Sequence, residues 1–175
     1  MSDYILEART DVWTGDADRR GDRTITTGLL GSIRWWFEVL VRGLGGTACD
    51  PTGRQSQRNS HCVVCELFGC TGWARKFRLE VLNESRRVKA ARIKQGDTFT
   101  LRFTELRPMA REEWALLDLT LRFVAEYGAL GGKTVLKPSN EVSRTNAAHH
   151  RDYGLINISD FPEDLWSCHR ELLQG

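Results

Sequence analysis

The segment Gly31–Gly43 has the hydrophobic spacing of a helix that buries one face and leaves a narrow charged stripe on another. Its predicted apolar face comprises Ile33, Trp36, Phe37, Leu40 and Leu44. Arg34, Glu38 and Arg42 recur at every fourth position, where side chains of opposite charge meet on a helix surface. We therefore predict a surface helix with a buried side and a polar ridge.

The ends of this helix and its two tryptophans lead to further expectations. Ser32 can accept hydrogen bonds from the free amides of the first turn, and Gly43 can take the left-handed conformation that ends a helix. The helical pattern predicts that Trp36 belongs to the core. Trp35 lies beside the charged stripe, so its role stays open.

Several segments alternate between apolar and polar residues, as half-buried strands do. These segments are 4–8, 76–82, 98–106 and, as a last short strand, 153–158. The second and third are separated by a polar, glycine-containing connection, which predicts an antiparallel hairpin.

A second amphipathic helix is predicted over Arg111–Tyr127, ending at Gly128. Its core face comprises Trp114, Leu117, Leu121 and Val124. The order strand, helix, strand, strand, helix, strand is that of a ferredoxin-like α+β domain. We therefore predict one such domain over residues 1–160, with a loop insertion at about 45–72 and a helical tail over 161–175.

Length and charge narrow the class of protein. A chain of 175 residues is long enough for one domain with a substantial core. No apolar run is long enough to span a bilayer, and the N-terminus lacks a basic-then-apolar signal segment, so we expect a cytoplasmic protein without a membrane partner. A net charge of +2 is too small to indicate a nucleic-acid partner, so the distribution of charge must decide.

Basic residues concentrate in the connection of the predicted hairpin. Residues 86–94 contain no acidic side chain, and their basic residues are Arg86, Arg87, Lys89, Arg92 and Lys94. Two interpretations stay open: a solvated basic hairpin, or a surface that contacts nucleic acid.

Four of the five cysteines lie in the predicted insertion, at Cys49, Cys62, Cys65 and Cys70. An odd number with this crowding does not resemble a secreted disulfide framework. A Cys-x-x-Cys pair with two further thiols is typical of a structural zinc site, which leaves no open position for catalysis. His61 can replace Cys49 as the fourth ligand. Buried free thiols and a redox pair at Cys62 and Cys65 are the alternatives.

Residues 128–134 are similar to a nucleotide-binding glycine loop, but three residues rather than four precede the Gly-Lys pair, and the loop follows a helix. We therefore exclude an NTPase. The glycines still allow backbone amides to approach a phosphate, with charge from Lys133, and Lys137 continues a basic stretch. His149 and His150 are candidates for metal-independent RNA cleavage, although adjacent histidines are more often ordinary surface residues.

Three motifs, in this order, resemble the RAMP superfamily of CRISPR effector subunits. They are the Arg-Trp-Trp run within Thr27–Phe37, the Cys-x-x-Cys-Glu-Leu-Phe-Gly run of Cys62–Gly69, and the Gly-Gly-Lys-Thr run at 131–134. Within the superfamily the sequence is most similar to the first subunit of the type III-B (Cmr) complex. The resemblance covers most of residues 3–158. Such subunits usually carry two ferredoxin-like units, whereas this chain has room for one.

The resemblance implies an RNA-recognition-like ferredoxin fold, with guide RNA, target RNA and other subunits of a type III CRISPR effector complex as partners. It implies RNA contact for Arg34 and Lys133. Our charge argument adds Arg42, Arg78, Arg86, Arg87, Lys89 and Lys137. In this subunit type, target cleavage is generally assigned to a different subunit.

We therefore expect a non-catalytic RNA-binding subunit that acts in antiviral defence. One alternative is a metal-independent RAMP endoribonuclease that processes guide RNA through His149 or His150. Another alternative is a protein-interaction module that zinc holds together, with no RNA contact of its own.

Overall fold

Strands and helices alternate along the chain much as the sequence predicts. The computed structural model describes residues 1–15, 18, 21–49, 61–132 and 152–162. In chain order its elements are β1 (Ser2–Ala8), α1 (Thr26–Gly43), α2 (Val63–Phe68), β2 (Phe77–Asn83), β3 (Thr98–Glu105), α3 (Arg111–Tyr127) and β4 (Ile156–Asp160). The short helix α2, which we did not predict, belongs to the insertion.

The strands form one antiparallel sheet in the order β2-β3-β1-β4. β1 and β3 occupy its centre, where Tyr4 pairs with Leu101. β2 pairs with β3 as the predicted hairpin, with Val81 opposite Leu101. β4 forms the other edge, where Ile156 pairs with Ala8. This is the ferredoxin-like arrangement, so the predicted α+β fold is confirmed.

The core lies between the sheet and the helices, and a row of aromatic rings runs through it. Tyr4 on β1 meets Phe103 on β3 with ring centroids 5.8 Å apart, and Phe103 meets Phe77 on β2 at 5.2 Å. Phe77 contacts Phe68 of α2 at 5.3 Å, and Phe68 contacts Phe37 of α1 at 5.1 Å. All four pairs are close to edge-to-face, the favoured geometry for aromatic rings. The insertion's helix is therefore part of the core, which fixes the position of the nearby cysteines.

Helix α1 begins one and a half turns earlier than predicted, at Thr26. Its N-cap residue Ile25 has no capping side chain, and the amide of Ile25 instead donates to Oγ1 of Thr14, at 2.8 Å. The predicted cap at Ser32 is wrong, since Ser32 lies inside the helix. Its Oγ accepts a hydrogen bond from the amide of Gly131, at 2.9 Å.

The other end of α1 corrects two further expectations. The helix ends at Gly43, but the left-handed residue is Gly45, with φ of +83°. Leu44 does not belong to the apolar face, because 42% of it is exposed. Val41 is buried in its place, and Leu29 extends the same face toward the N-terminus.

Helix α3 has the predicted bounds, and Gly128 is its C-cap. Leu117, Leu121 and Val124 are buried as expected, whereas Trp114 is only half-buried. β4 spans Ile156–Asp160, which shifts the predicted last strand toward the C-terminus.

Within the described ranges, no helix has both the length and the apolar character that a membrane crossing requires. The predicted domain limit at residue 160 stays a prediction, as does the helical tail, since 163–175 lie outside the described residues.

Candidate metal centre and RNA-binding surface

Three of the four predicted metal ligands come together. The sulfur atoms of Cys49, Cys62 and Cys65 lie within 4.8 Å of one another. Sγ of Cys49 is 3.3 Å from Sγ of Cys62 and 3.2 Å from Sγ of Cys65. These separations exceed the disulfide bond length of about 2.05 Å, and all three are free thiols. We call these three residues the cysteine cluster.

The short helix α2 places two of these sulfurs. Cys62 is its N-cap, and the Cys62 sulfur accepts hydrogen bonds from the amides of Cys65, at 3.5 Å, and Cys49, at 3.4 Å. Gly69 ends the helix with φ of +81°, and a Cβ there would lie 2.8 Å from the carbonyl oxygen of Trp73. Only glycine fits this turn without strain, so the Leu-Phe-Gly run serves to hold the cluster in place.

Hydrogen bonding makes Cys62 the most acidic thiol of the cysteine cluster. Burial raises the pKa of Cys62, but the two amides that donate to its sulfur outweigh burial and lower the pKa to about 7. Hydrogen bonds to Cys65 and Cys62 raise the pKa of Cys49 to about 12. Burial raises the pKa of Cys65. A thiophilic cation would displace the remaining protons, because metal ligands bind as thiolates.

The spacing of the sulfurs fits a tetrahedral metal ion. Zinc–sulfur bonds of about 2.3 Å place two ligands about 3.8 Å apart. The Cys49 sulfur is 3.2–3.3 Å from its two neighbours, so a zinc ion would need these gaps to open by only about half an ångström. The cysteine cluster can therefore hold a metal ion.

Cys70, the fourth predicted ligand, lies beside a different candidate. Its sulfur is 3.7 Å from Nδ1 of His61, and the His61 ring stacks on Trp73 with centroids 4.5 Å apart. Both residues flank α2, one before it and one after it. Neither Cys70 nor His61 belongs to the group of ligand atoms that lie within 4.8 Å of one another, which consists of the three sulfurs of the cysteine cluster.

The predicted polar ridge leaves Arg34 facing solvent, but in the structure its side chain lies against the insertion. Its side chain is 20% exposed. Nη1 donates to the carbonyl oxygen of Gly69 at 2.6 Å, Nη2 lies 3.5 Å from the sulfur of Cys65, and Nε donates to Glu38 at 3.1 Å. Burial lowers the pKa of Arg34, but its bonds to Glu38 and Cys65 outweigh burial and raise the pKa.

The remainder of the charged stripe also faces the insertion. Arg42 pairs with Glu38 at 3.5 Å and donates to the carbonyl oxygen of Ala48 at 3.0 Å, next to Cys49. Glu38 thus bridges two arginines, confirming the ion pairs that the four-residue spacing predicts. Half of the Arg42 side chain, 51%, remains exposed.

The connection between β2 and β3 begins with a tight turn that we call the basic tip, residues 84–88. The amide of Arg86 donates to the carbonyl oxygen of Asn83 at 2.8 Å, and the amide of Arg87 donates to Oδ1 of Asn83 at 3.0 Å. The Arg86 side chain is 71% exposed and makes one long contact, 3.8 Å, with Asp3. Arg87 is exposed and forms no ion pair with any described residue.

The later part of this connection is anchored to the body of the domain. Lys89 is 16% exposed and pairs with Asp97 at 2.6 Å. Arg92 pairs with Asp11 at 2.6 Å, and a bridge joins Val12 to Ile93. Lys89 therefore forms an ion pair within the domain, whereas the basic tip projects into solvent.

The sheet face that points away from the helices carries charged side chains, and we call it the outer sheet face. Arg102 binds both carboxylate oxygens of Asp3, at 2.8 and 2.7 Å. Arg78 is 55% exposed and pairs with Glu80 at 3.2 Å. Arg86 also reaches Asp3, so the basic tip and the outer sheet face are joined through this carboxylate.

The glycine loop is packed against the domain rather than open to an anion. The amide of Gly131 donates to Ser32, and the amide of Gly132 donates to the carbonyl oxygen of Trp13 at 2.9 Å. Trp36 donates through Nε1 to the carbonyl oxygen of Ala129, at 2.8 Å. The expected phosphate contact through these two glycine amides is wrong, because protein acceptors already occupy them.

Several predicted residues lie outside the described residues and stay predictions. They are Lys133, Lys137, His149 and His150. Sequence reasoning missed Trp13, whose indole leaves no room for a Cβ at Gly15 or Gly21. The two glycines that follow Trp13 closely in the sequence, Gly15 and Gly21, were the available signal.

A four-stranded antiparallel sheet with two long helices on one face and a cysteine-bearing insertion defines a ferredoxin-like α+β domain. A family model described as the RAMP superfamily matches residues 5–136. The chain therefore belongs to the RAMP superfamily, and the predicted family is confirmed. A search of curated proteins found no match.

Two solved structures are similar to this chain. Cmr1 from Pyrococcus furiosus, in its apo form, matches with a TM-score of 0.57 and 12% identity over 95% of this chain and 51% of that chain. A Csm3-Csm4 subcomplex of the type III-A CRISPR-Cas interference complex matches with a TM-score of 0.49 and 18% identity, over 99% and 94% of the respective chains. The chain thus spans about half the length of the Cmr1 chain, with which it shares the fold.

Proposed function

We propose that this chain is a non-catalytic RNA-binding subunit of a type III CRISPR ribonucleoprotein effector. The observation that carries the proposal is the match to the RAMP superfamily over residues 5–136, supported by a fold shared with Cmr1. Its partners in this account are guide RNA, target RNA and other subunits of the effector complex. It acts in antiviral defence in the cytoplasm.

The basic tip and the outer sheet face are the surfaces that suit RNA best. Arg86 and Arg87 project together from a turn that protein contacts hold in place, so little ordering is required when a phosphate binds. Arg78 adds an exposed guanidinium on the same side of the sheet. Phosphate contacts of this kind depend on charge and position rather than base identity, which suits a subunit whose RNA varies in sequence.

The proposal includes the statement that this subunit does not cleave RNA. Of the four histidines in the chain, only His61 lies within the described residues, and its ring contacts Cys70 and Trp73. The residues that the sequence offers for cleavage are His149 and His150, which lie outside the described residues. The rival function is therefore a metal-independent endoribonuclease that depends on these two residues.

The cysteine cluster holds a structural zinc ion in this proposal. Cys49, Cys62 and Cys65 supply three ligands, and Cys70 or His61 supplies the fourth. A site filled by four protein ligands has no open position for substrate, so zinc contributes folding energy and joins the two ends of the insertion.

A binding and cleavage assay separates the two functions. Purified chain is incubated with end-labelled repeat RNA and with a non-repeat single strand, and both bound fraction and products are measured. We expect both RNAs to be bound and neither to be cut. Cleavage of the repeat RNA that disappears in the His149→Ala and His150→Ala variants would establish the endoribonuclease instead. Binding of neither RNA would favour the protein-interaction module.

A further inference from the structure

Arg34 contacts the cysteine-bearing insertion through both of its terminal nitrogens. Two of its three guanidinium nitrogens contact that insertion, at the Gly69 carbonyl and the Cys65 sulfur. The third nitrogen is fixed by Glu38 one turn along α1. Every nitrogen therefore has a partner, and the side chain has one defined orientation.

A metal–thiolate centre needs a positive group in this place. Three thiolates and a divalent cation carry a net negative charge, and a fourth thiolate makes it larger. The sulfur of Cys65 is buried, so little water reaches it to offset that charge. A guanidinium that donates to a thiolate stabilises the charged form directly, as groups around metal ligands commonly do.

Arg34 also fixes where Cys65 lies relative to Cys62. The Gly69 carbonyl is the C-cap of α2, and Cys62 is its N-cap. By contacting the C-cap and Cys65, which lies one turn from the N-cap, Arg34 fastens the whole of α2 against α1. Its contacts thus hold the geometry of the Cys-x-x-Cys pair as well as its charge.

We propose that Arg34 is a positioning residue of the metal centre, orienting Cys65 and offsetting the charge of the thiolates that bind a thiophilic divalent cation. This inference rests on the proposed zinc site. It gives the Arg-Trp-Trp helix a role in metal binding. In the RNA account, Arg86 and Arg87 supply the contacts that the family resemblance implied for Arg34.

Metal titration of the full chain tests the inference. Apo protein is titrated with Co²⁺, whose thiolate charge-transfer and d–d absorption bands report the ligand field, and Zn²⁺ affinity is measured by competition with a chromophoric chelator. Arg34→Ala and Arg34→Lys are compared with Arg102→Ala. Arg102 is a matched control because it is similarly shielded, 19% exposed against 20%, and loses a carboxylate partner far from the cysteines.

We expect Arg34→Ala to weaken Zn²⁺ binding by about 10- to 100-fold and to shift the charge-transfer band. Arg34→Lys keeps the charge but loses the two-point contact, so it should lie between wild type and Arg34→Ala, and it serves as the test if the alanine variant does not fold. Arg102→Ala should keep the wild-type affinity and spectrum.

Two outcomes would overturn the inference, and they are distinguishable. Wild-type affinity and spectra in both Arg34 variants would refute it while leaving the zinc site intact. A wild-type chain that binds neither Co²⁺ nor Zn²⁺ would remove the metal centre altogether, and the inference with it.

Discussion

Arg34 donates to the Gly69 carbonyl at 2.6 Å while its other terminal nitrogen lies 3.5 Å from the sulfur of Cys65. The next two residues of α1 have different surroundings. Trp35 is 52% exposed, and Trp36 is buried, with its indole bonded to the carbonyl oxygen of Ala129. Of these three consecutive residues, Arg34 thus contacts the cysteine insertion, Trp35 is exposed to solvent and Trp36 contacts the glycine loop.

Trp36→Ala should lower the free energy of unfolding by about 3–5 kcal/mol, because it removes a buried aromatic side chain and leaves a cavity. It also leaves the Ala129 carbonyl without its buried donor. Trp35→Ala, at the exposed neighbouring position, should cost about 1 kcal/mol or less. Denaturant unfolding of both variants measures the difference, and equal losses would show that Trp36 is not the core residue of the pair.

Gly131→Ala should destabilise the fold by about 1–3 kcal/mol, because φ of +113° is strained for alanine and its Cβ would lie 2.6 Å from the carbonyl oxygen of Trp13. Gly31→Ala is the control, since a Cβ there meets nothing within 4 Å. In the middle of α1 it should stabilise by about 0.5–1 kcal/mol. Thermal and denaturant unfolding report both changes. A neutral Gly131→Ala would mean that the glycine loop does not pack on Trp13.

The pair of Asp3 and Arg102 should make stability depend on acid pH. The hydrogen bond from Arg102 lowers the pKa of Asp3 by more than partial burial raises it. A carboxyl whose pKa is lower when folded contributes its full stability above the unfolded value of about 3.9, and that contribution is lost as pH falls through the folded value.

The free energy of unfolding of wild type minus that of Asp3→Asn should therefore shrink as pH falls from about 5 toward 2. Arg102→Ala should weaken the same dependence, since it deletes the group that lowers the pKa of Asp3 most. The change is small because the pair is partly solvated. A difference that stays constant over this pH range would contradict the ion pair.

Metal content should be one ion per chain in protein purified without chelators, measured by elemental analysis. Cys62→Ser should lose the metal and lower the midpoint of thermal unfolding. A free metal concentration of about 100 times the Kd adds about 2.7 kcal/mol to the free energy of unfolding, and the variant loses this contribution. Cys168→Ser, outside the described residues, is the control and should keep the metal. Metal retained in Cys62→Ser would rule out the cysteine cluster as its site.

The sequence predicted elements best where the hydrophobic period was uninterrupted. Helix α3 has a regular apolar stripe and a terminal glycine, and its bounds agree with the prediction at both ends. The predicted start of helix α1 lies too far along the chain because Gly28 and Gly31 interrupt the hydrophobic pattern of its first turns. Tertiary contacts decide that region, since Thr14 supplies the bond that a local cap would otherwise make.

The sequence indicated which types of residue form the metal site and the basic surface, but not which residues contact one another. Cysteine spacing pointed to the cluster, yet nothing in the spacing could show that Cys49, rather than Cys70, lies beside the Cys-x-x-Cys pair. The position of Arg34 on a polar stripe indicated exposure, because helical periodicity shows which face is polar and not what covers it. In the same way, the basic run at 86–94 gave no means of separating the paired Lys89 from the projecting Arg87.

RNA binding through the basic tip is the central claim, and its salt dependence tests it most directly. Labelled single-stranded RNA is titrated with wild-type chain, with an Arg86→Ala/Arg87→Ala double variant and with Arg111→Ala, a charge control on the helix side of the sheet. Each phosphate contact contributes about 0.7 to the slope of log affinity against log salt for a single strand. We expect the double variant to bind more weakly and to reduce the slope by about 1.4, with Arg111→Ala close to wild type. Wild-type affinity and slope in the double variant, or a wild-type chain that binds no RNA even at low salt, would contradict the account.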